Sequence, residues 1–385
     1  MIRHICFFTG NYPTTKDPIF SFVRELICNI ADMGVQCTVI SPQSLIGKIK
    51  KNEHSRPIHW FDKTSKGQLI EIYQPVYLSI SKLNKVLNGY NEKARKFVVK
   101  RTFSKICHKN KNLPIDVLYA HFWNEGMIIA ELSKMYGIKA IVASGESIIV
   151  LKDVLVENYK ANYKDSISGC IAVSQKNKQE TIDWGLLDEE KIKVIPNAIN
   201  PDEFFVEDKT NSRKKLGFPA DAFIVVYCGY FIDRKGVKRL SEALEQIKDV
   251  YSIFIGSGPI QPTRKNNLFT GKLPHKSLVH YFNSADVFVL PTLREGCCNS
   301  ILEAMACGLP IISSNRSFND DILNDSYSIR IDPESVIDIR DAIIRLKKHS
   351  ELKDEMSKNA EKASKQFHLE KRAKTIIEFI SDKDR

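Results

Sequence analysis

The sequence predicts an α/β chain of two domains, each a run of alternating strands and helices, and three observations carry that prediction. At 385 residues the chain is long enough for two separate cores. Short apolar runs closed by Gly, Pro or Ser recur along it, among them HICFFTG (His4 to Gly10), IKAIVAS (Ile138 to Ser144), AFIVVYCG (Ala222 to Gly229) and DVFVLP (Asp286 to Pro291). They read as buried strands, with segments of helical apolar spacing between them. The run is interrupted at KVIPNAINPDEF (Lys193 to Phe204), where Pro196, Asn197 and Pro201 break the periodicity. The expected division is therefore 1–198 and 199–368.

A hydrophobic fraction of 43% and a charged fraction of 27% are those of a soluble globular protein. No apolar run approaches the length of a membrane span, and MIRHICFFTG reads as a buried strand rather than a signal peptide. The expected location is the cytoplasm. Nine cysteines are scattered without CxxC spacing, which implies reduced thiols and no zinc site; the adjacent pair Cys297 and Cys298 reads as small packing residues. A formal charge of +11 and a pI near 9.0 point to an anionic partner. Much of the excess lies in Ser81 to Pro114, with Lys82, Lys85, Lys93, Arg95, Lys96, Lys100, Arg101, Lys105, Lys109 and Lys111 against Glu92. Tyr90, Ala94, Phe97, Val98 and Phe103 fall near helical spacing there, so a basic amphipathic helix resting on an anionic inner membrane surface is expected.

In chain order, the strand His4 to Thr9 leads through NYPTTKDP into a helix from Pro18, with Phe22, Leu26, Ile27, Ile30 and Met33 on its apolar face and Gly34 as its stop. The strand Val35 to Ser41 follows. The first turn lacks GxGxxG, which argues against a dinucleotide-dependent oxidoreductase. Past the basic stretch, Asp116 to Ala120 is a strand with His121 at its carboxyl end and a helix from about Gly126. Ile138 to Ser144 runs into Gly145 and Glu146, and Gly169 to Ser174 into the helix QKNKQETIDWG.

The second series begins with AFIVVYCGYFIDRKG, a buried strand ending at Gly229 and a helix opened by Lys235 and Gly236. Tyr251 to Pro259 is a strand followed by a Gly256-x-Gly258 turn, weak evidence by itself. A strand, a turn at Gly271 to Leu273 and a helix of about ten residues lead to LPTLREGCCNSILEAMACGLPIISS (Leu290 to Ser314). In that stretch the strand stops at Pro291 and a helix starts near Asn299 or Ser300, with Ser300 and Glu303 in capping-box spacing and Gly308 and Pro310 as its stop. The amides of Cys297 to Ser300 are then open to an anion. Glu295 and Glu303, seven residues between them, offer oxygens to adjacent hydroxyls. Phosphate on amides and diols on carboxylates suit a nucleotide-sugar.

This stretch, with EAMACGLP behind Glu303, resembles the donor-site signature of retaining glycosyltransferases of family 4, also described as glycosyl transferases group 1. The resemblance implies the GT-B fold, two Rossmann-like domains facing a cleft, with a C-terminal helix (369–385) crossing back to the first. It implies sugar transfer from a UDP- or GDP-linked donor to a lipid-linked or oligosaccharide acceptor, without metal or other cofactor and without nucleic acid. By matching position, Glu295 would hold donor-sugar hydroxyls, Glu303 the ribose, Lys235 the diphosphate with Arg234, and His121 the sugar near the reacting carbon. Gly256, Gly258, Leu273, Cys297, Cys298 and Asn299 would line the donor, and Gly10, Tyr12 and Glu146 the acceptor side. The chain departs from the pattern at Tyr230, where an arginine is common, at Ala198 for a glycine, and in a first loop with Gly10 alone. A non-catalytic sugar-nucleotide-binding subunit and a sugar-nucleotide epimerase are the alternatives.

Overall fold

The computed structural model describes residues 2–14, 20–46, 56–79, 85–263 and 265–382, and of 85–88 the backbone alone. Pro18, Lys82, the side chain of Lys85 and the last three residues therefore lie outside the described residues. The chain forms two compact units. One comprises Met1–Val173, Asn177–Ile195 and Ala373–Arg385, the other Ser174–Lys176 and Pro196–Arg372.

The strands of the first unit are β1 (His4–Phe8), β2 (Gln36–Ile40), β3 (Gln43–Ser44), β4 (His59–Lys63), β5 (Leu69–Tyr73), β6 (Val76–Tyr77), β7 (Val117–His121), β8 (Lys139–Ser144), β9 (Gly169–Ala172) and β10 (Ile192–Val194). Its helices are α1 (Ser21–Asp32), α2 (Lys85–Lys109), α3 (Trp123–Tyr136), α4 (Asp153–Asn162) and α5 (Gln175–Asp183). The main sheet runs β10-β9-β8-β7-β1-β2-β5-β4, parallel except for the antiparallel edge pair β4–β5. Both faces of its central strands are covered, as parallel strands require. Ile5, Phe7, Val117 and Tyr119 face one core with α1, while Cys6, Phe8, Leu118 and Ala120 face another with α2, α3 and α4.

The second unit carries β11 (Phe223–Cys228), β12 (Val250–Ile255), β13 (Asn267–Gly271), β14 (Val287–Leu290), β15 (Ile311–Ser314) and β16 (Ser328–Ile331) in one parallel sheet ordered β13-β12-β11-β14-β15-β16. With it go α6 (Lys209–Leu216), α7 (Val237–Glu245), α8 (Leu278–Ser284), α9 (Asn299–Ala306), α10 (Val336–Lys348), α11 (Ser350–Ser364) and α12 (Leu369–Asp382). From Ala373 onward α12 belongs to the first unit, where Ala373, Ile376, Phe379 and Ile380 join the α1 face of the core. Lys139 Nζ donates to the Ile380 carbonyl near the helix end (2.6 Å), a cation placed where the last carbonyls lack partners.

In each sheet the chain starts in the middle, builds outward to one side, then returns and builds to the other. The reversals fall between β1 and β7 and between β11 and β14. Open parallel sheets bind ligands beyond the carboxyl ends of strands at such points. The loops carrying Gly10 and His121 leave β1 and β7, and those carrying Lys235 and Glu295 leave β11 and β14.

Two expectations are corrected, and one element is added to them. In α2 the buried stripe is Val99, Phe103 and Ile106, whereas Tyr90 and Phe97 are exposed, 46% and 64%. The helix is rolled by charge. Buried Glu125 and Glu131 on α3 draw Arg95, Lys96 and Lys100 inward as ion pairs, which turns Phe97 out. The helix after His121 begins at Trp123, a turn earlier than expected. The hairpin β4–β5 had no counterpart in the sequence reading; Asp62 fixes it by accepting from Arg24 Nε (2.6 Å) and the Tyr12 hydroxyl (2.9 Å).

Because α12 supplies fully buried side chains to a core otherwise built from far earlier sequence, Ile376→Ala should lower stability by about 2–5 kcal/mol. Urea denaturation followed by circular dichroism measures it.

Candidate functional site

The carboxyl edge of the second unit's sheet gathers most of the residues singled out in sequence. Glu295, 8% exposed on the loop after β14, is its hub. Its Oε1 accepts from Lys235 Nζ (2.5 Å), from the Thr292 hydroxyl (2.8 Å) and from Arg234 Nη1 (3.2 Å). Arg234 also donates to the Arg294 carbonyl, and the Leu293 amide donates back to the Arg234 carbonyl (2.8 Å). The loops after β11 and β14 are thus stitched together through main chain and charge. Burial works against the Lys235 ammonium, but the neighbouring Cys298 and Glu295 outweigh it and hold its pKa above the ordinary lysine value.

Two glycines make this approach possible. Gly236 caps the start of α7 at φ +74°, and a Cβ there would lie 2.2 Å from the Pro291 carbonyl oxygen. Gly256 follows β12 at φ +146°, where a Cβ would lie 1.9 Å from the Gly229 carbonyl oxygen. Main-chain bonds then lace the neighbouring turns. The Gly229 amide donates to Ile255, that of Phe231 to Ser257, beside Gly258, and that of Gly256 to Gly271 (2.9, 2.9 and 2.8 Å). Lys272 and Leu273 continue from β13 at the same edge.

At α9 the expected capping box is not formed. Cys298 is the N-cap, without a side-chain cap bond, and Ser300 sits inside the helix with its hydroxyl donating to the Cys228 carbonyl (3.2 Å). The helix begins at Asn299, so Ser300 is its second residue and is not placed to cap it. The amides of Ile301 and Leu302 turn back onto the Cys298 carbonyl. Glu303 accordingly lies in the second turn, 8% exposed, with Oε1 3.2 Å from His275 Nε2. Cys297 and Cys298 are buried; burial pushes the Cys297 thiol up to about 12 and raises that of Cys298, against the pull of Lys235.

Sequence reasoning passed over several supports. Asn197, seen only as a periodicity break, donates to the Cys297 carbonyl (3.2 Å) and to Asn299 Oδ1 (2.8 Å), pinning the start of α9. Ser313 and Ser314 donate to the Leu290 and Thr292 carbonyls (2.9 and 2.5 Å) and set the loop ahead of Glu295. His275 was not singled out at all. Only folding brings these polar groups beside the motif.

The first unit presents a smaller set. His121, 5% exposed, ends β7, and the next residue, Phe122, has φ 78° and ψ 158°, a region costly for a residue with a Cβ. Glu146 anchors this bend. Its carboxylate accepts from the amides of Trp123 (2.9 Å) and Gly145 (2.9 Å) and from the Ser144 hydroxyl (3.2 Å). Burial raises its pKa against those donors. Its reading as an acceptor clamp is corrected to an anchor for α3, because backbone donors engage both oxygens. Tyr12 is likewise corrected. It is fully buried, its hydroxyl on Asp62 and its ring edge-on to Trp60, so it faces the core. Gly10 is exposed, and a Cβ there would come within 3.2 Å of Glu125 Oε1.

Two doubly wound α/β units of this kind are the GT-B fold. The chain matches the family model described as glycosyl transferases group 1 over residues 208–363. It is 27% identical over 387 residues to TuaC of Bacillus subtilis, named for teichuronic acid biosynthesis, covering 97% of this chain and 96% of that one. Sucrose-phosphate synthase from Thermosynechococcus elongatus shares the fold with a TM-score of 0.76 at 17% identity, covering 99% of this chain and 98% of that one. HepE of Anabaena, solved in complex with UDP, does so at 0.74 and 18%, covering 98% and 100%.

Gly256→Ala should strain the β11–β12 turns, cost about 1–3 kcal/mol or more, and lower the thermal midpoint measured by scanning fluorimetry.

Proposed function

We propose that the protein is a retaining hexosyltransferase that moves a sugar from a UDP- or GDP-linked donor to a hydroxyl of a lipid-linked or oligosaccharide acceptor during assembly of a cell-surface polysaccharide. The observation that carries this is the Lys235–Arg234–Glu295 constellation beside the start of α9. It holds two cations and a carboxylate within one small volume, suited to a diphosphate next to a sugar. Lys235, Arg234 and the α9 amides offset the leaving diphosphate, and transfer is taken to be independent of metal. Glu295 takes sugar hydroxyls, Glu303 the ribose, and Gly256, Gly258, Leu273, Cys297, Cys298 and Asn299 border the donor. His121, at the reversal point of the first unit, is assigned to the sugar near the reacting carbon, with Glu146 anchoring the bend that follows it. As the bond from the anomeric carbon to phosphate oxygen breaks, the acceptor oxygen bonds the same face of that carbon. Its proton passes to the departing phosphate oxygen.

One observation favours a second reading. Tyr230, 66% exposed, stands where an arginine is common and brings no charge to a phosphate. A sugar-nucleotide-binding subunit without turnover would tolerate it.

A thermal-shift panel of UDP-, GDP- and ADP-sugars identifies the donor, since a ligand at a hundred times its Kd stabilises by about 2.7 kcal/mol. With that donor and a membrane or glycan extract as acceptor, Glu295→Ala and Lys235→Ala should each lower transfer by at least about a hundredfold while the circular dichroism spectrum is kept. Near-normal turnover in either variant would remove the assignment, and binding without any turnover in the wild type would favour the second reading.

The outward face of α2 supports a membrane-surface role. Lys93, Phe97, Arg101 and Lys105 are exposed there, and exposed Val150 and Val154 flank Lys152, which pairs with Glu92 (2.9 Å). Among the described residues no helix is long and apolar enough to cross a membrane. At low salt the protein should float with liposomes containing anionic lipid and stay behind with neutral ones; equal behaviour would end this reading.

A further inference from the structure

We propose that His275 is a positioning residue for Glu303, itself set by Glu203, and that this row of three side chains fixes how strongly the protein prefers a ribonucleotide to a deoxyribonucleotide. The inference rests on the proposed reading of Glu303 as the ribose carboxylate. His275 lies in the short turn between β13 and α8, with Nε2 3.2 Å from Glu303 Oε1 and Nδ1 3.3 Å from Glu203 Oε2. The ring packs edge-on against buried Phe204, centroids 5.1 Å apart, which limits the ways it can turn. A neutral imidazole carries one N–H and can donate to only one of two carboxylates, whereas the imidazolium donates to both. The bond to His275 holds Glu203 below the ordinary carboxylate range.

The consequence is geometric. Glu303 projects from the second turn of α9, and a carboxylate that rotates freely loses entropy on meeting a diol. With Oε1 held by His275, the plane of the group is set in advance, and its remaining lone pairs are presented in one orientation. Two adjacent hydroxyls need that fixed pair of acceptors; a nucleotide lacking one hydroxyl needs it less. His275 is not expected to touch the reacting atoms. Its effect should therefore appear in nucleotide discrimination, not in the chemical step.

The test uses isothermal titration of the full chain with UDP, GDP and ADP, each paired with its 2′-deoxy and 3′-deoxy counterparts. For the nucleotide that binds, wild type should prefer the ribo form by about tenfold, and Glu303→Ala should erase that ratio. His275→Ala and Glu203→Gln should shrink the ratio severalfold, while His275→Gln, which keeps an N–H donor, should restore most of it. If His275→Ala weakens ribo and deoxy forms equally, or leaves both unchanged, while Glu303→Ala erases the ratio, the positioning role is overturned and the ribose reading survives. If Glu303→Ala keeps the ratio, the ribose reading falls and the inference with it. Absence of binding by all three nucleotides would overturn the nucleotide-donor reading itself.

Discussion

The second unit's candidate site depends on one carboxylate. Glu295 Oε1 accepts from Lys235, Arg234 and Thr292 together, and so joins the loop that leaves β11 to the loop that leaves β14. Those are the strands between which the sheet order reverses, where the loops diverge and would otherwise leave a gap. Two half-buried cations held together without a counter-charge would be costly, and a buried carboxylate without donors would be equally so. Placed together, Lys235, Arg234 and Glu295 form a preorganised network that keeps one net positive charge.

The rest of that edge follows from the closeness this pairing demands. The loops approach so tightly that main-chain atoms lie where side chains would be, which explains Gly236 against Pro291 and Gly256 against Gly229. Support arrives from behind the edge: Ser313 and Ser314 on β15 hold the chain ahead of Glu295, and Asn197 holds the start of α9. Each of them fixes a main-chain segment of this edge.

The first unit solves a similar problem with strain. Phe122 occupies backbone space that a residue with a Cβ avoids, directly after His121, and Glu146 accepts the Trp123 amide just beyond it. Strain of this kind persists where surrounding contacts over-determine it. Here the buried Glu146 carboxylate and the apolar packing of α3 supply those contacts. The bend carries the chain from β7 into α3, and it is invisible in the letters HFW.

Much of the fold was legible in the residues because it is written in local periodicity. The parallel strands are continuous apolar runs, the helices between them carry apolar stripes, and Ala373, Ile376 and Ile380 mark the docking face of α12. The motif from Glu295 to Pro310 was legible for the same reason, since its loop, helix and stop are contiguous. What the residues alone could not decide was which polar group meets which. The inward roll of α2 depends on Glu125 and Glu131, which lie about thirty residues beyond the cations they bind. Ser300 looked like a cap, but the fold places it inside α9 with its hydroxyl on the Cys228 carbonyl, and His275 gained meaning only between Glu203 and Glu303. Hydrophobic burial depends on a pattern repeated along the chain and survives averaging over neighbours. A hydrogen bond depends on a single distant partner, and only the tertiary structure supplies it.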